Sequence, residues 1–597
     1  MLYLSLWLSL VFALAIPGFA FARMLITGGA ANCRPAVIVA VSVACTYLIV
    51  SYATFFRIPI FATLLCIVGM AALVALYDLV RPRKAAADLY TLRALAIGLI
   101  ACVTLIGCFW VYWRTTPVVF LGSDTVASWN FWTVEWAAGR VPMFAYGYPQ
   151  LAPAIWASTY VWLGDTIQYG PTYLFILLLI LPPAAAAMWS GERNPILALW
   201  MIAIYGGFVA HFKGWLGGTL LVSFPDWLVV SFIASALIIA GPRLLNQSSR
   251  QNDDALALTT AQVYLCAAAS IKPLAGLLSI AALAATALLR YRSARADLNR
   301  SIAVQLLAVG LAVATFVAYY VQVKNAVVLP APKPTTFAGQ IVYGLEFVGK
   351  SVFPLFLLLS VWGLVVTAFH PSLWPFSVAC AAGFAIWART ASYDLRNVLP
   401  FLIASSLLGV CGVAKTIGGR TLVKAAAERL LLPADRKILA PPLVTLLVFG
   451  VIVLLATIPL MKSDDEIRSA FLRDNQAIGL GTQINTMAIE AAKDGCWLGT
   501  NDSDLFHQDV LRKLPNKKLA GFKPNEVTDN DLQPLLSNSC SVIVVLAPTL
   551  TEAAKRFLAS QEAGGRLRRS SKWDWLIYAP PDRFDPDEKS RDSSSRE

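Results

Sequence analysis

An ionisable side chain inside or at the edge of an apolar helix bundle is costly, and by default it marks a functional position. Few residues of this chain meet that description. The segment Leu121-Gly-Ser-Asp-Thr-Val-Ala-Ser-Trp-Asn-Phe-Trp-Thr-Val-Glu-Trp136 follows an apolar run and carries Asp124 and Glu135. Asp226 sits in Ser223-Phe-Pro-Asp-Trp227, near the start of another run, and Lys272 interrupts a third beside Pro273. Arg389, Tyr393 and Arg396 precede a fourth. His211 and Lys213 close the run before Asp226 and could supply the partner that an isolated membrane aspartate needs. Two readings of Asp124 stay open, a helix N-cap and a carboxylate that acts on a substrate. Asp124 and Asp226 together could bind a divalent cation through oxygen ligands, though they come from distant segments. Glu346 and Lys350 are four apart, an ordinary helix pair. No Gly-x-x-x-x-Gly-Lys-Ser/Thr loop occurs, so nothing points to an ATPase.

Membrane helices must position those residues. A spanning helix needs about 20 apolar residues. Runs of that kind lie near 2–21, 36–56, 58–80, 94–113, 167–189, 195–212, 219–240, 259–271, 274–290, 302–322, 351–369, 373–388, 397–414 and 440–461. The pattern predicts about 12 to 14 spans. The stretch 259–290 is too long for one span and short for two, and Lys272-Pro273 breaks it. The first run lacks a basic n-region and is read as an uncleaved helix. Basic residues cluster at 81–93, 290–300 and 415–437, and the positive-inside rule puts these three loops in the cytoplasm. Segments 114–166, 323–350 and everything after 461 then lie outside. The helix carrying Trp129, Trp132 and Trp136 is expected in the membrane interface, where tryptophan is favoured.

Composition agrees with this organisation. Of 597 residues, 58% are hydrophobic and 14% charged, and the mean hydropathy is +0.65. A soluble chain carries roughly 25% charged residues. Of 48 Lys+Arg and 35 Asp+Glu, residues 1–461 hold 29 and 14, so the net +13 belongs to the apolar part. A nucleic-acid-binding protein would gather its basic residues in a soluble module, so that class is excluded. After Met461 the pattern changes. A helix over 464–493, strands at 496–500, 541–546 and 573–578, and a helix opened by the capping box Thr549-Leu-Thr-Glu552 suggest a small α/β domain. The chain therefore divides into N-terminal helices 1–93, a membrane core 94–461, an extracytoplasmic domain 462–580 and a disordered tail 581–597. Eight cysteines lie in or beside apolar runs as small buried hydrophobes. Cys496 and Cys540 each border a predicted strand; a disulfide, permitted in an exported compartment, and two thiols are both open.

Taken in order, several segments resemble the GT-C superfamily of polytopic glycosyltransferases, which includes protein O-mannosyltransferases and lipid A aminoarabinose transferases. They are an aspartate just after a span (Asp124), an amphipathic helix, the turn Gly139-Arg-Val-Pro142 and Tyr148-Pro-Gln-Leu151. Ser270-Ile-Lys-Pro-Leu-Ala-Gly276 resembles the family's Lys-Pro-x-Gly element. Tyr393-Asp-Leu-Arg-Asn-Val-Leu-Pro400 resembles its Arg-Tyr-x-x-x-Pro element, with Asn397 where tyrosine is usual. The resemblance covers about 94–414. Two departures stand out: Thr125 follows Asp124 where many members have glutamate, and three spans precede the matching core.

The resemblance implies a mainly α, GT-C-like bundle with a small soluble domain. It implies transfer of a sugar from a polyprenyl-phosphate-linked donor to a hydroxyl on a glycan, lipid or protein, in cell-envelope synthesis at the bacterial inner membrane. Asp124 would be the general base, and Arg389, Arg396 and Lys272 would hold the donor phosphate. Asp226, Glu135, His211, Lys213 and Tyr393 would stand in a second rank. No cofactor is required by it, and a divalent cation is open. Two other classes compete: a transporter or flippase for a lipid-linked substrate, and a non-catalytic subunit of an envelope-polysaccharide complex. Transporters tend to show internal repeats and paired broken helices; this sequence shows one break and no obvious repeat.

Overall fold

The computed structural model describes residues 2–25, 34–80, 89–115, 125–142, 148–215, 225–245, 251–293, 296–323, 352–390, 395–416, 437–439, 496–500, 518–522, 526–537, 539–572 and 575–583, with isolated positions at 339–348 and 491. Apolar helices dominate. Seven are long and apolar enough to cross a membrane: Leu4–Ala22, Pro35–Phe55, Ile60–Tyr77, Tyr169–Gly191, Asp226–Leu245, Pro273–Arg292 and Leu298–Val323. Five shorter apolar helices add to them: Arg93–Phe109, Pro195–His211, Asp254–Ala269, Pro354–Ala368 and Leu399–Ala414. The chain is a multi-pass membrane protein with a mainly α fold and a small C-terminal sheet region. The expected span at 440–461 lies outside the described residues.

In chain order the helices are α1 (Leu2–Leu14), α2 (Ile16–Leu25), α3 (Pro35–Phe55), α4 (Ile60–Val80), α5 (Leu92–Thr115), α6 (Phe131–Ala137), α7 (Leu151–Leu163) and α8 (Tyr169–Gly191). Then come α9 (Pro195–Trp215), α10 (Asp226–Leu245), α11 (Gln251–Ala269), α12 (Gly276–Ser293), α13 (Ala296–Val323), α14 (Pro354–Ala368), α15 (Trp374–Thr390) and α16 (Leu399–Thr416). The ambiguous stretch 259–290 resolves into α11 and α12. Between them the chain extends at Lys272 and makes one 3₁₀ turn, Pro273–Ala275. Proline lacks the N–H that would continue α11, so the helix ends there and Lys272 sits at a break. Such irregular backbone is tolerated at membrane depth only inside protein or along a cavity.

α8 and α10 are buried all round and form the centre of the bundle, whereas α13 and α4 expose most of their apolar surface. A helix apolar on every side belongs in a core or a bilayer, and these two groups show both cases. α14 and α16 cross closely at Gly363 and Gly409. A Cβ at either would collide with the other helix's backbone, at Ser405 O or Leu359 O. Small residues allow this approach, and hydroxyls complete it, with Ser360 Oγ 2.9 Å from Ser406 Oγ. That contact fixes α16, whose preceding turn carries Arg396 and Asn397.

Chain reversals gather charged residues at two ends. At one lie the start of α10, the α11–α12 break and the turn before α16. At the other, the Arg34 and Arg243 guanidinium groups each lie 4.9 Å from the Trp189 ring centroid. There Arg34 pairs with Glu192 at 2.9 Å and Arg193 with Asp254 at 2.5 Å. At that end, too, a short antiparallel ladder joins β1 (Leu89–Thr91) to β2 (Lys437–Leu439). The basic loops 81–93 and 415–437, assigned to one side from charge, flank these two strands.

The C-terminal sheet contains β3 (Trp497–Thr500), β4 (Lys518–Gly521), β5 (Val542–Leu546), β6 (Arg568–Lys572) and β7 (Trp575–Ala579), ordered β4-β3-β5-β7-β6. β3 runs parallel to β4 and β5, while β7 is antiparallel to β5 and β6. Both faces of β5 are covered. Ile543 and Val545 pack with Leu550 and Leu558, and Val542 and Val544 belong to a second cluster. This explains the unbroken apolar run in β5. Cys496 and Cys540 immediately precede or lie just before the neighbouring parallel strands β3 and β5. They form a disulfide with Cα atoms 5.5 Å apart. The helix Asp529–Leu536 (α17) and strands β4 and β6 are absent from the sequence reading. The capping box also shifts: the helix Glu552–Ala563 (α18) is capped by Thr551, which accepts from Ala554 N, because Thr549 ends a preceding 3₁₀ turn.

Candidate functional site

Three separate segments converge on Lys272. Its Nζ lies 2.7 Å from Asp226 Oδ1 and donates to Asn397 Oδ1 at 2.7 Å. Each partner has a local reason for its place. Asp226 is the first residue of α10, following Pro225, where helix-terminal N–H groups favour a carboxylate. Lys272 is held at the α11–α12 break. Asn397 closes the 3₁₀ turn Leu395–Asn397 that leads into α16. The carboxylate is 5% exposed and the lysine side chain 14% exposed. An ammonium has three donors; two are used here, and among the described residues the third has no protein partner. Arg396 and Tyr148 lie within electrostatic reach of the same ammonium. The Lys-Pro and Arg-Asn segments, separate motifs in the sequence, thus form one site.

The 125–151 region borders it. Thr125–Asn130 is a π-helix, which continues into α6. π-helical turns are rare and concentrate at functional sites. Asn130 Oδ1 accepts from the Tyr160 hydroxyl at 2.6 Å, fixing the turn to α7. Trp129 and Trp132 pack at 4.9 Å, and the Tyr148 ring stacks on Trp132 at 6.2 Å. Trp136 Nε1 donates to Gln150 Oε1 at 3.2 Å, and Gln150 Nε2 donates to Tyr148 O at 2.8 Å. The N–H of Leu151 then donates to Ser270 O at 3.0 Å, tying this turn to the segment carrying Lys272.

These placements bear on several expectations. Trp129, Trp132 and Trp136 are buried against neighbouring helices. Trp136 packs near Phe55 and Tyr319, so the helix folds inward against α3, α7 and α13. Asp226 pairs with Lys272, not with His211. His211 Nε2 instead accepts the Phe353 N–H at 3.1 Å, and the side chain of Lys213 lies outside the described residues. Glu135 belongs to a forked ion pair with Arg140, at 2.9 and 2.8 Å, that closes the end of α6. Arg389 is exposed in the last turn of α15. Asp124 and Tyr393 lie outside the described residues, as does the partner proposed for Asp226 in a cation site. The Asp226 carboxylate is engaged by Lys272, and among the described residues no three acidic, histidine or cysteine side chains form a metal cluster.

Sequence reasoning missed Asn397, Tyr148 and Gln150 as parts of the site. Asn397 did carry a signal: it stands where the resembled motif has tyrosine, directly after Arg396.

No protein-family model matches the chain, and no curated protein matches it. Among solved structures, the chain is similar to ArnT from Cupriavidus metallidurans in the apo state, with 12% identity and a TM-score of 0.41, over 81% of this chain and 98% of that one. ArnT from the same organism bound to undecaprenyl phosphate is similar at the same identity and TM-score, over 81% and 97%.

Proposed function

We propose that the chain is a membrane glycosyltransferase that moves a sugar from a polyprenyl-phosphate-linked donor to an acceptor hydroxyl on the extracytoplasmic face. The observation that carries this reading is the convergence of Lys272, Asp226 and Asn397, with Arg396 beside them, at one end of an apolar bundle. A lipid phosphate needs fixed cations close to the bilayer, and Lys and Arg provide charge-assisted hydrogen bonds to it. When the sugar leaves, negative charge builds on that phosphate. Preorganised cations stabilise such charge most in the transition state. Lys272 is preorganised by Asp226 and Asn397, which among the described residues leave one donor for a phosphate oxygen.

In this mechanism Lys272 and Arg396 bind the phosphate, with Arg389 at the entrance. Asp124, next to the π-helix, removes the acceptor proton as its oxygen attacks the anomeric carbon. The C1–O bond to phosphate breaks, and the polyprenyl phosphate departs with that electron pair. Asp226 holds Lys272 and does not itself touch the sugar. The division into 1–93, 94–461 and 462–580, the inner-membrane location and the outward side of the site belong to the same proposal. The Cys496–Cys540 disulfide supports an extracytoplasmic tail, since disulfides persist in oxidising compartments.

The test is reconstitution of the full chain in proteoliposomes with a polyprenyl-phosphate-linked sugar and an envelope extract as acceptor. Wild-type protein should release polyprenyl phosphate and label the acceptor, and Asp124→Asn should abolish both. Full activity in Asp124→Asn would remove Asp124 from the chemistry. Transport of intact donor without bond cleavage would favour the flippase reading.

A further inference from the structure

Tyr148 is placed to read the sugar. It is a large, 42% exposed aromatic residue, yet its ring is backed by two tryptophans that are 4% and 3% exposed. The ring is stacked on Trp132 at an interplanar angle of 26° and meets Trp129 edge-on at 6.1 Å. Its backbone is fixed through Gln150 to Trp136, and the next turn is bonded to Ser270. The backbone that carries the ring is therefore tied to the Lys272 segment, and the ring lies within electrostatic reach of the Lys272 ammonium. An interfacial anchor needs no such support, because the bilayer surface alone favours tyrosine.

We propose that Tyr148 is a stacking platform for the pyranose ring of the donor, adjacent to the phosphate site at Lys272 and Arg396. The inference rests on the phosphate-site reading given above. A pyranose has an apolar face of C–H groups whose slight positive charge complements an aromatic face, and its hydroxyls point outward from the ring edge. With the phosphate on Lys272, the attached sugar ring is one bond away from it. An aromatic ring beside the phosphate site selects for a sugar-bearing lipid over the bare lipid phosphate. Tyr148 is thus a specificity-determining residue, and the ligand class it takes is a phosphate-linked pyranose.

The experiment compares two affinities on the full-length protein in nanodiscs: polyprenyl monophosphate, and the same polyprenyl phosphate bearing glucose, mannose or arabinose. Wild-type protein should bind at least one glycosylated lipid more tightly than the bare phosphate. Tyr148→Leu should weaken that glycosylated lipid about tenfold, the size of one aromatic stacking contact, while the bare phosphate holds within about twofold and reports intact folding. Tyr148→Phe should recover most of the preference. Equal affinity of wild type for all four lipids, or equal loss of bare and glycosylated lipids in Tyr148→Leu, would overturn the platform and leave the phosphate site standing. Failure of wild type to bind even polyprenyl monophosphate would overturn both.

Discussion

Replacing Lys272 by methionine should damage stability and phosphate binding together, and a second substitution should separate the two. Lys272→Met leaves the Asp226 carboxylate, 5% exposed, without its cation 2.7 Å away. Removing one partner of a buried pair costs roughly 3–5 kcal/mol, since the remaining charge is uncompensated. The Asn397 carbonyl loses its donor as well. Asp226→Asn added to Lys272→Met removes the stranded charge, and replacing a buried pair by neutral groups is commonly near neutral. The double variant should therefore recover most of the thermal midpoint lost in the single one. Phosphate affinity should not recover. The third Lys272 donor is worth a charge-assisted hydrogen bond, about 1.5–3 kcal/mol, or roughly 10- to 150-fold in affinity. The assay is thermal unfolding in detergent beside polyprenyl monophosphate binding for wild type, both single variants and the double. Wild-type phosphate affinity in the double variant would refute the role of Lys272 while leaving its structural one intact.

Four further outcomes are expected. Arg396→Ala should weaken polyprenyl monophosphate at least about tenfold with little change in thermal midpoint, because Arg396 is half-buried in a turn rather than inside the core; titration of the lipid by native mass spectrometry checks this. Gly363→Leu should prevent α14 and α16 from closing, since even a Cβ meets Ser405 O; the yield of monodisperse protein should fall sharply, whereas Ser360→Ala should cost only about 1 kcal/mol. A thiol-reactive mass tag applied with and without reductant should label Cys496 and Cys540 only after reduction. A periplasmic reporter fused after Met461 should be active, and a cytoplasmic reporter there would invert the topology.

How much of this was legible from residues alone differs by element. The spans follow from run length, and the break at Lys272-Pro273 from proline's missing donor, so α11 and α12 were separable in principle from the sequence. Asp226, Lys272 and Arg396 stood out because charge in an apolar run is expensive. Which of them meet was not legible. Asp226 pairs with Lys272, 46 positions away, and not with the nearer His211, because α10 begins beside the end of α11. That adjacency is tertiary packing and leaves no local pattern. The packing of the tryptophans was not legible for a related reason: an aromatic amphipathic helix reads the same whether its rings face lipid or pack against α3 and α13. In the tail, β5 was visible through its apolar run, but β4 and β6 carry polar residues such as Lys518 and Arg568–Lys572 at sheet edges, where strand pattern is weakest.

The central claim is that the constellation around Lys272 recognises a lipid phosphate. It is tested most directly by measuring the affinity of the purified full-length protein for polyprenyl monophosphate against the polyprenol of equal length in the same nanodiscs. The cations at Lys272 and Arg396 predict that the phosphate binds at least about a hundredfold more tightly, and that Lys272→Met/Asp226→Asn with Arg396→Ala removes most of that difference. Equal binding of the two lipids by wild-type protein would contradict the claim.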